Sequence, residues 1–448
     1  MSKENKESKK DPELVYWDNK IGKITKPVDN SGFKDFYKKY INLNEIEDNE
    51  EESTFYEDQF YLYIKNKIND FIYGEKDNII FFLGAGASVL GNKWEYGKTM
   101  SRLACEIINN LYFLDNNRKS NEEKLLSFQE FANLSNIKKP DNLKRKVADV
   151  LGNKKDKLPD FELEDFMSTL NQILSLAGEQ HELFGSIENS DFIKQVKNTG
   201  DSIQQQITKL VQYKNYPFNA SEESFQHLSI MKLLMSKLDK DESKLEMVTT
   251  NYDRVIEEAA EKGNITIFDG FGFDSNHVFN DGWFDWNLSK KSKESNTNEV
   301  EYNPNVIDLL KIHGSIDWVR EKKDIVKKRS VRNRKKNQVM IFPSSDKYKQ
   351  SYDKPYFELM SRFQNLLRKP NTWLITSGFS FNDDHISRMI IDAVKVNSGL
   401  RVLVTDYSLY NSSYDKIKDL ISNNYDVAIL KASMNDKDEN HGLHFYLN

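Results

Sequence analysis

The chain predicts an α/β fold built on a parallel, doubly wound sheet with a large helical insertion. Three observations predict it. A five-residue apolar run, Ile79 to Leu83, leads directly into Gly84-Ala85-Gly86-Ala87-Ser88. The last third of the chain alternates strand-like and helix-like segments: strand Thr372–Thr376, helix Asp383–Val396, strand Arg401–Thr405, helix Tyr414–Ser422, strand Asp426–Leu430. Between Met100 and Leu245 strand signal almost vanishes and helical periods take over. Strand–helix alternation is the pattern of a parallel sheet covered by helices. An unbroken apolar run is how a strand buried on both faces reads.

Taken in order, residues 1–52 read as a polar, irregular arm and linker ending in the acidic stretch Glu45 to Glu52, whose charges favour solvation. A helix is expected over Tyr56–Ile72, where Phe60, Tyr63, Ile64, Lys67, Ile68 and Phe71 fall at helical spacing. The first strand and its glycine turn complete an opening α/β segment over 53–99. The insertion, 100–245, carries the periods Leu103-Ala104-Ile107-Ile108-Leu111, Phe166-Leu170-Ile173-Leu174, Ile203-Ile207-Leu210-Val211 and Leu228-Met231-Leu234. The α/β pattern resumes over 246–448 with strand Glu246–Thr250 and helix Asp253–Lys262. Strands Ile265–Phe268, Val306–Ile312 and Val339–Phe342 follow, then helix Pro355–Arg368. No internal repeat is visible.

Composition narrows the class. The 448 residues are 38% hydrophobic and 30% charged, with a net charge of −6. That balance gives no general attraction to nucleic acid or an anionic membrane. No apolar run reaches the length of a membrane helix, and no apolar core follows the first residues as a secretory signal would require. Cys105 is the only cysteine, which excludes an intramolecular disulfide and any multi-cysteine zinc module. The expected setting is cytoplasmic.

Several predicted strands end in short polar motifs. Ile79–Leu83 leads into Gly84-Ala85-Gly86-Ala87-Ser88, where glycine lets the backbone approach an anion and the N–H groups opening the next helix can face a pyrophosphate. The strand ending at Thr249 leads into Thr250-Asn251-Tyr252-Asp253, and Val306–Ile312 into His313-Gly314-Ser315. Thr372–Thr376 leads into Ser377-Gly378-Phe379-Ser380, and Arg401–Thr405 into Asp406. All strands of an open parallel sheet present their carboxyl ends at one edge, where ligands bind. These motifs are therefore expected to be neighbours in space, around a dinucleotide, in a Rossmann-like fold.

Gly84-Ala85-Gly86-Ala87-Ser88, Thr249-Thr250-Asn251-Tyr252-Asp253, His313-Gly314-Ser315 and Gly378-Phe379-Ser380, in this order, resemble the sirtuin-like NAD-consuming domains. The resemblance covers roughly residues 77–90 and 246–430. It is to the bacterial antiphage branch, such as the sirtuin-like subunit of Sir2–HerA type systems, in which these domains destroy NAD⁺. Protein deacylases carry a four-cysteine zinc module, and this chain has one cysteine. The acidic, proline-containing stretch that follows the first motif in deacylases is here Gly91-Asn92-Lys93-Trp94-Glu95-Tyr96-Gly97.

The resemblance implies NAD⁺ as substrate, no metal, and catalytic roles for Asn251 and His313. Asn251 would hold the ribose hydroxyls and position water at the anomeric carbon; capping of the following helix is the competing role. Asp253 would orient Asn251 or cap the same helix. His313 would act as general base or ribose-hydroxyl partner, since imidazole accepts a proton near neutral pH. Gly84, Ala85, Gly86, Ser88, Gly378 and Ser380 are the candidate phosphate and ribose contacts. Asp406 is a candidate for the adenosine ribose, or a turn residue after its strand.

Three features point elsewhere. Gly91 through Gly97-Lys98-Thr99 resembles a Walker loop but has five residues between its glycines where that loop needs four. Lys322–Lys336 is strongly basic but has no interleaved aromatics to stack bases, so it reads as a solvated loop before a DNA contact. His441-Gly442-Leu443-His444 lacks a third metal ligand. The expected activity is NAD⁺ hydrolysis to nicotinamide and ADP-ribose by a gated antiviral effector. The expected partners are further copies of the chain and a HerA-like ATPase. The alternatives are a noncatalytic NAD- or ADP-ribose-binding module of an ATPase complex, and a DNA-acting subunit of a defence complex.

Overall fold

The computed structural model describes residues 12–41, 54–74, 76–91, 95–114, 124–137, 140–154, 158, 161–179, 191–218, 223–240, 242–291, 300–328, 338–340, 354–410, 412–436 and 441–448. The acidic stretch 45–52 and the core of the basic stretch, 329–336, lie outside them. The fold is α/β, Rossmann-like, with nine strands in a large, mostly parallel main sheet and flanking helices. The chain forms two compact units. Unit 1 comprises residues 1–82, 226–246 and 364–448; unit 2 comprises 83–225 and 247–363.

The elements run as follows. β1 is Leu14–Asp18, β2 Gly22–Thr25, α1 Asn30–Tyr40, α2 Phe55–Phe71 and β3 Asn78–Leu83. The insertion contributes α3 Met100–Ile108, α4 Phe128–Leu134, α5 Leu143–Leu151, α6 Leu163–Glu179 and α7 Asp191–Val211, and α8 is His227–Met235. Then come β4 Leu245–Thr249, α9 Val255–Lys262, β5 Thr266–Phe268, β6 Ser289–Lys291, β7 Val300–Tyr302, β8 Val306–Lys311, β9 Gly314–Glu321, β10 Asp324–Lys327 and β11 Gln338–Met340. The chain ends with α10 Tyr356–Leu366, β12 Thr372–Ser377, α11 Asp384–Val396, β13 Leu400–Asp406, α12 Asp415–Ser422, β14 Val427–Lys431 and α13 Leu443–Leu447.

In unit 1 the strand order is β2-β1-β14-β13-β12-β3. β12, β13 and β14 are parallel in register, Thr376 opposite Val404 and Thr405 opposite Leu430. Their residues are almost all buried, which is why they read as continuous apolar runs. The N-terminal segment corrects the sequence reading of an irregular arm. β1 pairs antiparallel with β14, and β2 with β1. α1 follows, with Asp29 accepting the Gly32 N–H as its N-cap. The segment is polar in composition, yet it buries Val15, Tyr16, Ile24, Phe33 and Tyr37, together with Asp18, which accepts the Tyr16 hydroxyl (2.7 Å).

In unit 2, β4, β8 and β5 lie in that order, with β5 and β8 parallel. Residues 100–211 are helical among the described residues, and three of the four predicted periods meet in one cluster, with Leu103, Ile107, Phe166, Leu170, Ile203 and Ile207 packed together; the fourth, Leu228-Met231-Leu234, falls on α8 in unit 1. That cluster also takes in Ile316, Met340 and Tyr252. The sequence reading missed β9, which pairs antiparallel with β10 and β11 in a small separate sheet. Its Asp317 and Arg320 interrupt the apolar pattern, although Trp318 and Asp317 are both buried.

Candidate functional site

The glycine turn takes a tighter form than its motif suggests. Ala85–Ser88 is a single 3₁₀ turn, closed by Ala87 N–H to Gly84 carbonyl (3.0 Å) and Val89 N–H to Gly86 carbonyl (3.2 Å). Among the described residues the next α-helix begins at Met100, and Val89–Gly91 directly after the turn are not helical. Ala85 and Gly86 are exposed, while Gly84, Ala87 and Ser88 are buried. A helical turn leaves its first N–H groups without internal partners. Here those groups belong to the two exposed residues.

Three predicted motifs are joined by hydrogen bonds in unit 2. The Thr250 N–H donates to the Leu83 carbonyl at 3.3 Å, and the Thr249 hydroxyl donates to the same oxygen at 2.8 Å. On the other side, Ile312 N–H donates to the Thr249 carbonyl (3.0 Å) and Ile316 N–H to the Tyr252 carbonyl (3.2 Å). The Thr249–Tyr252 segment is thus held between the glycine turn and the His313-Gly314-Ser315 turn. Gly314 has φ +84°, and a Cβ there would sit 2.2 Å from the Val339 carbonyl oxygen, so the reversal after His313 requires glycine. His313 is 7% exposed.

Asn251 does not cap a helix. Its backbone N–H donates to the Thr249 hydroxyl (3.0 Å), and its Nδ2 donates to the Gly84 carbonyl (2.8 Å) and the Ser88 hydroxyl (2.9 Å). Both amide hydrogens are used, and Oδ1 has no partner among the described residues. Asp253 serves in two ways. Its Oδ1 accepts the Val255 N–H at the start of α9 (3.0 Å), and its carboxylate accepts the Ser88 hydroxyl. Burial pushes the Asp253 carboxyl above its ordinary range, while the positive charge of Lys311 pulls the other way. The Ser88 hydroxyl, proposed from sequence as a ligand contact, is buried and faces Asn251 and Asp253.

Unit 1 brings its two predicted motifs together. Gly378 N–H donates to the Thr405 carbonyl (3.2 Å), and the Thr405 hydroxyl to the Thr376 carbonyl (2.8 Å). Tyr414 bridges them, its hydroxyl meeting the Phe379 carbonyl (3.3 Å) and the Asp406 carboxylate. Burial holds the Asp406 carboxyl above its ordinary range, against the Tyr414 hydrogen bond. Gly378 has φ 63°, and Gly378 and Ser380 are both half-buried.

The other sequence features take structural roles. Lys98 of the Walker-like stretch pairs with Glu106 (3.3 Å), and Thr99 caps α3. Of the basic stretch, Lys327 pairs with Asp269 and Lys328 with Glu321. His441 stacks on Tyr61 with ring centroids 3.6 Å apart. Among the described residues no group of three or more His, Cys, Asp or Glu is placed to hold a metal ion, and no helix is long and apolar enough to cross a membrane. The Cys105 thiol is buried, which pushes it up to about 12. Sequence reasoning missed Lys311 and Glu257, a buried ion pair (3.0 Å) beneath Asp253. The visible signal was a lysine inside the apolar run Val306–Ile312.

Residues 245–427 match the model of the SIR2-like domain. Comparison with curated proteins gives no match. One solved structure, described as "Structural Basis for the Mechanism and Regulation of Sir2 Enzymes", is similar with a TM-score of 0.32 and 8% identity, over 81% of this chain and 96% of that chain.

Proposed function

We propose that this protein is an NAD⁺ glycohydrolase that cleaves the nicotinamide–ribose bond and releases nicotinamide and ADP-ribose. The observation that carries the reading is Asn251. Its carboxamide is fixed by two hydrogen bonds into the glycine turn, which leaves Oδ1 as an oriented acceptor. An acceptor of that kind suits a ribose hydroxyl or an attacking water. The SIR2-like match over 245–427 supports an NAD-dependent reaction.

The glycine turn suits a phosphate of a dinucleotide. The exposed Ala85 and Gly86 offer main-chain N–H groups to a phosphate with no bulky side chain in the way. Cleavage passes through cationic sugar character, as in other glycosidic cleavages. Nicotinamide leaves neutral and needs no proton. The site's work is to orient water and stabilise positive charge at the anomeric carbon. Asn251 Oδ1 would orient the water, and His313 would accept its proton.

Unrestrained NAD⁺ hydrolysis harms the cell that makes the enzyme. We therefore propose a gated effector of antiviral defence that depletes NAD⁺, assembles as an oligomer and works with a HerA-like ATPase. Nicotinamide release by the full chain, alone and with such an ATPase, tests this. Release that is lost in Asn251→Ala and His313→Ala supports the reading. NAD⁺ left intact under both conditions, or equal release by the variants, would overturn it.

A further inference from the structure

Two main-chain hydrogen bonds in unit 2 bracket the candidate catalytic residues. The Ile312 N–H donates to the Thr249 carbonyl (3.0 Å), and the Ile316 N–H donates to the Tyr252 carbonyl (3.2 Å). In sequence, Asn251 lies between the two acceptors and His313 between the two donors. Tyr252 and Ile316 also pack in the core cluster of the insertion. Main-chain bonds and apolar contacts therefore already hold the two turns together.

An ion pair joins the same two segments just beyond that bracket. Arg254, directly before α9, meets Asp317 of β9, with Nε and Oδ2 3.1 Å apart. The Asp317 side chain is 1% exposed and that of Arg254 21%. Arg254 Nη2 also meets Glu258 Oε1 at 3.2 Å. A pair withdrawn from water in this way contributes little net stability, because desolvation offsets most of the attraction. Apolar side chains of similar volume often hold a fold as well or better. The ion pair supplies direction instead. Apolar surfaces can slide over each other, whereas a planar guanidinium meets a carboxylate in few arrangements.

We propose that Arg254 and Asp317 are positioning residues: their ion pair fixes the Asn251 turn against the His313 turn, so that water held by Asn251 Oδ1 stays within reach of the imidazole. Arg254 continues the turn that carries Asn251, and Asp317 continues the turn that carries His313. Misplacing a reacting group by about 1 Å can cost about 100-fold in rate. Neither residue belongs to the glycine turn that would hold phosphate, so the loss falls on kcat. The catalytic part of this inference rests on the hydrolase reading; the fixing of one turn against the other does not.

The test uses the full chain and two variants. Asp317→Asn keeps the shape and removes the countercharge. Arg254→Met combined with Asp317→Leu replaces the pair with apolar side chains. Each is followed by thermal melting, by hydrogen exchange of the peptides covering 247–256 and 312–318, and by kcat and KM for nicotinamide release. The double variant should melt within a few degrees of wild type or above it. In both variants the two peptides should exchange about 10-fold faster or more. In both, kcat should fall about 10-fold or more while KM changes little. A pair that only supports the fold would lower the melt and leave the kcat of the folded protein unchanged, and that result overturns the inference. Unchanged exchange overturns it too, as does loss of folding in both variants, which would make the pair a requirement of the fold. Wild type that never releases nicotinamide sinks the hydrolase reading, and the exchange rates then decide by themselves whether the pair fixes the turns.

Discussion

Asn251 donates a 2.9 Å hydrogen bond to Ser88, 163 residues earlier in the chain. The bond joins the first glycine turn to the strand that resumes after the insertion, and it sets the carboxamide by its nitrogen. Asn251→Asp keeps the shape but replaces the donor with an oxygen that faces the Gly84 carbonyl. We expect nicotinamide release to fall about 100-fold or more, as when an oriented polar group is lost from an active site. Chromatographic assay of nicotinamide, beside a thermal melt to confirm folding, measures it. Activity within a few-fold of wild type would remove Asn251 from the chemistry.

Gly97 tests how closely the following segment packs on the turn. It has φ +60°, its N–H donates to the Tyr213 hydroxyl (2.8 Å), and a Cβ would lie 2.2 Å from the Ser88 carbonyl oxygen. Gly97→Ala should cost about 1–3 kcal/mol from strain and displaced backbone. Gly200 provides the contrast. It lies inside α7, where a Cβ meets nothing nearer than Leu170 Cδ1 at 3.9 Å. Gly200→Ala should stabilise by about 0.4–1 kcal/mol. Urea unfolding of both variants checks the pair, and equal effects would contradict the geometry.

The sheet strands and the motifs at their ends were legible because each signal is local: an apolar run, then a glycine or polar turn. Hydrogen bonds join Gly84, Asn251 and the His313 turn in unit 2, and Gly378 and Asp406 in unit 1. What stayed hidden depends on pairing across long separations. β1 and β2 are short, half-polar strands whose assignment depends on β14, some 400 residues later. β9 carries a buried acid, Asp317, which pairs with Arg254 at 3.1 Å. Ser88 reads as a ligand contact in its motif, and only Asn251 and Asp253 reveal its inward role.

His227, the first residue of α8, is buried, and burial lowers its imidazole to about 3 from an ordinary 6.5. The unfolded chain takes up this proton at a higher pH than the folded one. Stability is therefore lost as pH falls from 6.5 toward 3, at up to about 1.4 kcal/mol per unit from this residue. His227→Gln has no such proton. Its unfolding free energy should fall less steeply across that window than that of wild type. Parallel slopes in denaturant titrations at pH 4, 5, 6 and 7 would show that the residue does not stay neutral.

The N-terminal segment gives the sharpest test of the corrected fold. β1 covers the free edge of β14, whose Val427, Ala428, Ile429 and Leu430 are buried. Deleting residues 1–27 removes both β1 and β2, and with them the buried side chains of Val15, Tyr16 and Ile24. At about 1.5–3 kcal/mol for each, the loss is roughly 5 kcal/mol or more, which is much of the stability of an ordinary domain. The deletion also leaves an apolar strand edge open to pairing with other chains. The truncated protein should melt well below the full chain and scatter light on warming. An irregular, solvated arm would be removable without either effect, so an unchanged melting temperature would restore that reading. Charge-bearing substitutions directed at the exposed β14 edge should then suppress the scattering without restoring the melt. Scattering comes from the open edge, whereas the lost stability comes from the missing core contacts.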